Sequence, residues 1–199
     1  MNTTNIFVEL VVVGFHTLIW IGLFVLAFLG FQDLDLEKLF TINLALPILA
    51  LTYILGILMD RAADLLLDEQ DARLRSRFDF SNLPSFSEMR FYVLSKSSDV
   101  YAQLEYARSR LRIARASIFN FACTTVAALL LVWLQFGQAL GDYRLIVCIA
   151  TAIAGALLTW ISYQAWEALS RTYTANTIRA FTVLHDEAEK VRAAKAKAA

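Results

Sequence analysis

Chemistry in an apolar helix requires an ionisable or polar side chain, and the chain opens with two of them. Glu9 and His16 are seven residues apart. Seven residues make two helical turns, which puts both on one face. His16 lies about ten residues into the first apolar run, near mid-depth, and Glu9 lies near its boundary. Val12, Val13, Ile19 and Trp20 flank them. An ionisable group inside such a helix is a functional candidate by default. The pair is expected to make a hydrogen bond to another helix or to line a proton-sensitive gate. Asn43 comes next, with Pro47 four residues on. The proline ring frees the Asn43 carbonyl and predicts a kink that neighbouring helices must satisfy. Asn120, Thr124 and Gln135 are the polar residues of a third apolar run. Thr151, Gly155 and Thr159, widened by Ala152 and Ala156, form a small-xxx-small face for close helix packing.

Outside the apolar runs the charges fall in stripes. Asp60, Asp64, Asp68 and Asp71 recur at four, four and three, along one helical face. Arg108, Arg112 and Arg115 mirror them. Antiparallel stalks would place Asp60 level with Arg115, Asp64 with Arg112 and Asp68 with Arg108, as a salt-bridge seam. A second expectation is lipid binding: Arg108, Arg110, Arg112 and Arg115 fall within eight residues, and each basic residue beside a membrane adds ~1 kcal/mol of attraction to anionic headgroups. Direct nucleic-acid binding is not expected, because the nearby acids cancel the field. Further on, Trp166, Leu169, Tyr173, Thr177, Ala180, Leu184, Ala188 and Val191 recur at three and four. This diluted heptad seam packs on the stalks, self-associates or docks a partner.

Arg179 and His185 form R-x5-H. The spacing resembles the R-x4-6-H pattern of HEPN ribonucleases, and the resemblance covers these two residues alone. It implies cleavage of RNA across a dimer by Arg179 and His185. The polar residue that commonly follows the arginine is replaced here by Ala180. The plainer reading of His185 is a solvent-facing residue near a helix end. No P-loop, G-x-G-x-x-G, nucleophile elbow, H-E-x-x-H or C-x-x-C occurs in the sequence. An enzyme is therefore not expected, nor a cofactor or metal.

The elements that carry these residues follow from where charge is missing. Uncharged stretches run between Glu9 and Asp33, Lys38 and Asp60, Arg115 and Asp142, and Arg144 and Glu167. Each is long enough to cross a bilayer, for which about 20 apolar residues suffice. Composition agrees: 58% of residues are apolar and 18% charged, well short of a soluble average of about 25% charged. The fold class read from this is an all-α integral membrane protein: a four-transmembrane-helix bundle with helical cytoplasmic extensions of spans 2, 3 and 4. Spans are expected at about 7–31, 39–59, 116–136 and 145–166. A cytoplasmic helical stalk would occupy 60–115, and a C-terminal helix and tail 167–199. Ser85 and Glu88 form an S-x-x-E capping box for a short helix from Phe86 to Leu94, and Ser98 or Asp99 would cap the helix that leads into span 3. Met1–Leu10 has no Lys or Arg and no A-x-A site follows, so span 1 is expected to persist rather than be cleaved.

Orientation follows from Lys and Arg. The 60–115 segment holds ten of the 18 and the C-terminal segment six, leaving Lys38 and Arg144 for the two short loops. The positive-inside rule then places both termini in the cytoplasm of an inner (plasma) membrane protein. Two functions suit this layout. One is a homo-oligomeric channel, membrane-permeabilising effector or sensor, with Glu9, His16, Asn43, Asn120 and Gln135 as gate or pore candidates. The other is a membrane anchor or sensor that recruits a soluble cytoplasmic protein through Trp166, Leu169, Tyr173 and Leu184. Small multi-span proteins paired with soluble effectors in bacterial anti-phage defence have a similar layout, an analogy of architecture alone.

Overall fold

The computed structural model describes residues 3–31, 42–78, 80 and 83–198. Among the described residues the secondary structure is entirely helical. In chain order the elements are α1 (Thr3–Leu29), α2 (Ile42–Arg75), α3 (Phe86–Lys96), α4 (Ser98–Leu134), the short α5 (Gly137–Leu140), a 3-10 turn (Gly141–Tyr143) and α6 (Arg144–Ala198). The helices α1, α2, α4 and α6 are long and apolar enough to cross a membrane. Two compact units emerge. One contains Asn2–Leu67 and Arg112–Trp166, the other Asp68–Leu111 and Glu167–Ala199. Helices α2, α4 and α6 contribute to both.

The first unit is apolar, and its helices approach through small residues. A Cβ added at Gly14 of α1 would lie 1.7 Å from the Thr52 carbonyl oxygen of α2. One added at Gly56 would lie 1.9 Å from the Leu10 carbonyl oxygen. Only glycine permits backbones this close. Phe7 stacks on Tyr53 across the same pair of helices, with centroids 5.3 Å apart. Between α4 and α6, a Cβ on Gly155 would fall 1.9 Å from the Thr125 hydroxyl oxygen. The small-xxx-small face thus serves packing within the chain at Gly155. Thr159 turns its hydroxyl to the Gly155 carbonyl at 2.9 Å, and Thr151 is half-buried. The outside of this unit is apolar, with Phe28, Leu46, Leu58 and Ile146 each well over half exposed.

Helix α1 ends as a glycine-terminated helix does. Gly30 has φ +78° and donates its amide to the Leu26 carbonyl at 3.0 Å. Pro47 lies inside α2, which continues past it. The Asn43 side chain lies outside the described residues.

The second unit is polar outside and has its own core. Ser85 caps α3: the Glu88 amide donates to its hydroxyl at 3.3 Å, and its own amide donates to the Glu88 carboxylate at 2.8 Å. Those bonds from Ser85 hold the Glu88 carboxyl below its ordinary range. The expected cap of α4 is corrected by one position. The Ser97 hydroxyl, rather than the Ser98 hydroxyl or the Asp99 carboxylate, accepts from the Val100 amide at 3.4 Å. Its own amide closes α3 on Val93 at 2.9 Å, so one serine ends one helix and starts the next. Leu74, Met89, Val93, Leu104, Tyr173 and Phe181 fill the interior. Phe86 meets Tyr173 edge-on at 5.7 Å, and Tyr92 meets Phe181 at 5.1 Å.

Gly14→Ala is expected to destabilise the apolar unit by about 1–3 kcal/mol through overpacking. Gly22→Ala, with nothing within 4 Å of the added Cβ, is its matched control. Denaturant titration in detergent micelles compares the two. Equal behaviour would refute the α1–α2 crossing.

Candidate functional site

The polar groups of the apolar helices converge on Asn120, which is 1% exposed. Its side-chain oxygen accepts from the Trp20 indole N–H at 3.1 Å and lies 3.1 Å from the Thr17 hydroxyl. Its amide nitrogen donates to the Val13 carbonyl at 3.2 Å. Chemistry dictates this orientation. An indole N–H can only donate and a backbone carbonyl can only accept, so the asparagine must present oxygen to one and NH2 to the other. The Thr17 hydroxyl has one proton and also lies 3.1 Å from the Val13 carbonyl, so it shares that proton between two acceptors. Asn120 therefore ties α1 to α4 through three residues of α1.

Gln135 has a related role at the other end of the pair. Its Nε2 donates to the Ala27 carbonyl at 2.9 Å, satisfying an acceptor of the last turn of α1. Arg144 does the same for α4: it donates to the Trp133 carbonyl at 3.0 Å while its guanidinium stacks 3.4 Å from that indole centroid. The expected pore candidates Asn120 and Gln135 thus face other helices of the same chain.

Glu9 and His16 share a face of α1 but have different surroundings. Glu9 is 4% exposed and lies 3.8 Å from the Arg112 guanidinium of α4. His16 is half-buried, with its ring edge-on to Phe121 at 5.1 Å. It makes this aromatic contact in place of the expected hydrogen bond.

The charge stripes meet in a register other than the expected one. Arg115, 9% exposed, bonds both Asp60, at 3.2 Å, and Asp64. Arg112 goes to Glu9 instead of Asp64. Arg108 lies 3.7 Å from Glu105 of its own helix, not beside Asp68. Asp68 is exposed and has no ion pair among the described residues. Asp71 pairs with Arg75 one turn on and accepts the Ser170 hydroxyl at 2.7 Å. The reason is angular. Residues three apart on a helix differ by about 60° in direction, so Arg115 can face α2 while Arg112 faces α1. The two stripes alone leave out the third helix and its carboxylate.

In the polar unit Glu105 is shared. Arg90 of α3 donates to it at 2.6 Å, and Arg108 approaches from α4. Burial disfavours the Arg90 charge, but Tyr173 and Glu105 more than offset this and raise its pKa above the ordinary value. Burial also pushes the Tyr173 hydroxyl up, against the pull of Arg90 and Arg108.

The expected docking seam of α6 is an interior seam. Trp166 is fully buried beside Tyr163, and Tyr173 is 6% exposed against Phe86. The Leu184 carbonyl accepts the Tyr92 hydroxyl at 3.4 Å, and Leu169 is half-buried. Trp166 and Tyr173 are thus taken up inside the chain, while Leu169 and Leu184 keep part of their surface exposed. Arg179 is exposed, and His185 is half-buried against the rings of Tyr92 and Phe181. Six residues of helix turn them about 120° apart. Among the described residues, no three His, Cys, Asp or Glu side chains gather to hold a metal ion.

Sequence reasoning missed Thr17 and Trp20 as partners of Asn120, and missed Gly14 with Gly56. A signal existed for the glycines, since each interrupts an apolar helical run. Comparison with protein-family models, curated proteins and solved structures finds no match to this chain.

Asn120→Leu is expected to cost about 1–2 kcal/mol, the upper range for a hydrogen-bonded residue between apolar helices. Arg115→Ala is expected to cost on the order of 2 kcal/mol, less than a fully buried pair because Asp64 is half exposed. Arg110→Ala, at an exposed position, should change stability by less than ~0.5 kcal/mol. Reversible unfolding in micelles measures all three, and an Arg115→Ala variant as stable as Arg110→Ala would remove the ion pair from the account.

Proposed function

We propose that this chain is a four-span membrane anchor that holds a helical cytoplasmic module for a soluble partner protein. The observation that carries this reading is where the intramembrane polar groups point. Asn120, Thr17, Trp20 and Gln135 are engaged inside the chain, and Glu9 is buried beside Arg112. A single copy then presents an apolar exterior to lipid and lines no aqueous path with these groups. The polar unit, with its own buried core and capped helices, has the makings of a rigid display module.

The bilayer would hold 7–31, 39–59, 116–136 and 145–166, with Asp60–Arg115 and the tail after Trp166 in the cytoplasm. Sixteen of 18 Lys and Arg residues support that orientation. Anionic headgroups remain as partners, at fewer arginines than the stripe suggested. Arg108, Arg112 and Arg115 each have a carboxylate, and so does Arg61, beside Asp64 at 3.3 Å, which leaves exposed Arg110 to face them.

Cysteine accessibility in spheroplasts tests this topology in a chain lacking Cys123 and Cys148. A membrane-impermeant maleimide added outside is expected to label Gln138→Cys and to spare Ser87→Cys and Ala194→Cys. Labelling of Ser87→Cys from outside would invert the topology. Native mass measurement on the complex from its own membrane tests the role, and a stable complex with a soluble chain is expected. A pure assembly of several copies that conducts ions in liposomes would overturn the anchor in favour of a pore.

A further inference from the structure

We infer that the polar unit holds a site for inorganic phosphate, bound by Arg90, Arg108 and the Tyr173 hydroxyl, with Glu105 accepting a phosphate O–H. All four residues belong to this one unit. The site does not depend on the anchor reading.

Charges and hydrogen bonds do not balance among these side chains. Two guanidinium groups meet one carboxylate. Arg90 donates to the Glu105 Oε1 at 2.6 Å. Arg108 lies 3.7 Å from the same oxygen, beyond hydrogen-bond range, and donates no hydrogen bond among the described residues. One positive charge is therefore in excess. The Arg90 Nε is buried with no hydrogen-bond partner among the described residues, and so is the Tyr173 hydroxyl, on a side chain 6% exposed. Burial pushes that hydroxyl's pKa up while Arg90 and Arg108 pull against it, so both guanidinium charges act on it. Buried hydroxyls elsewhere in the unit are engaged: Ser170 donates to Asp71 at 2.7 Å, and Thr177 to the Tyr173 carbonyl at 2.9 Å. Buried donors without an acceptor are few in a folded chain, and such a group marks a place where a water or an ion binds.

The missing partner must bring negative charge and several acceptor oxygens. A tetrahedral oxyanion does both, and guanidinium groups match its geometry. Arg90 and Arg108 keep 21% and 35% of their side chains exposed, so the anion can enter from solvent. Glu105 decides which anion. Its Oε1 meets the two arginines, which leaves Oε2 to accept a further bond. An ionised carboxylate can only accept. It repels an anion that carries no proton and bonds one that does. Inorganic phosphate keeps at least one O–H at neutral pH. Sulfate has none, and a phosphomonoester, with its second pKa near about 6, has mostly lost its own.

The test is calorimetric titration of the full chain, purified in a maltoside detergent without phosphate, with inorganic phosphate. Saturable binding is expected, with sulfate and glycerol phosphate as poor competitors. Tyr173→Phe keeps the ring against Phe86 and should weaken binding about two- to tenfold, the range for one hydrogen bond. Arg108→Gln should weaken it about ten- to a hundredfold, the range for bonds from a charged group. Arg110→Gln, at an exposed position, should leave it unchanged. Glu105→Gln should let sulfate bind as well as phosphate. Thermal unfolding shows that each variant is folded, and a Glu105→Gln chain that does not fold leaves the competition and Tyr173→Phe to decide. Absence of saturable binding, unchanged affinity in both Tyr173→Phe and Arg108→Gln, or sulfate competing as well as phosphate in the wild type would overturn the site.

Discussion

A polar atom among apolar helices must find its hydrogen bond within reach, because no water is there to supply one. Asn120 shows how much organisation that constraint produces. Its amide can satisfy an indole N–H and a backbone carbonyl only from one rotational position, and only if Val13, Thr17 and Trp20 all face it. This sets both the rotation of α1 and its height against α4. Gln135 at Ala27 fixes the same pair of helices some ten residues further along. Two such points leave α1 little freedom to slide or turn. Against that fixed α1, Gly14 and Gly56 bring α2 to backbone contact.

Packing of this kind also decides what is left over. Asn120 takes Thr17 and Trp20, and the preceding residue, His16, meets the Phe121 ring. The same rotation turns Glu9 into the interior beside Arg112 and turns Val8, Val12, Phe15 and Ile19 outward.

In the polar unit the logic is that of a soluble domain. A small core of Met89, Val93, Leu104, Tyr173 and Phe181 is closed by short-range caps and by the Arg90–Glu105 bond. The C-terminal seam of α6 contributes the inner wall of this core. A tail that reads as a docking strip is instead part of what keeps the module folded, and removing it would remove Tyr173 and Phe181 from the interior.

The helices, the four apolar runs and the asymmetry of positive charge were all legible in the amino-acid sequence, because each depends on residues close together in the chain. So was the Ser85–Glu88 box, whose bonds span three residues, and the continuation of α6 past Trp166. Partnerships were not. Periodicity places Arg112 and Arg115 on neighbouring faces of α4, but whether each meets Asp60, Asp64 or Glu9 depends on the rotation of two other helices. The small-xxx-small face around Gly155 announced close packing without naming Thr125. Asn120 was visible as a polar residue in an apolar run, and its role as the tie between α1 and α4 was not. Local propensity and hydropathy are properties of one segment, so the sequence by itself determined the elements and their apolar lengths. Helix rotation minimises the energy of several segments at once, so only the tertiary structure decided which polar groups meet within the chain.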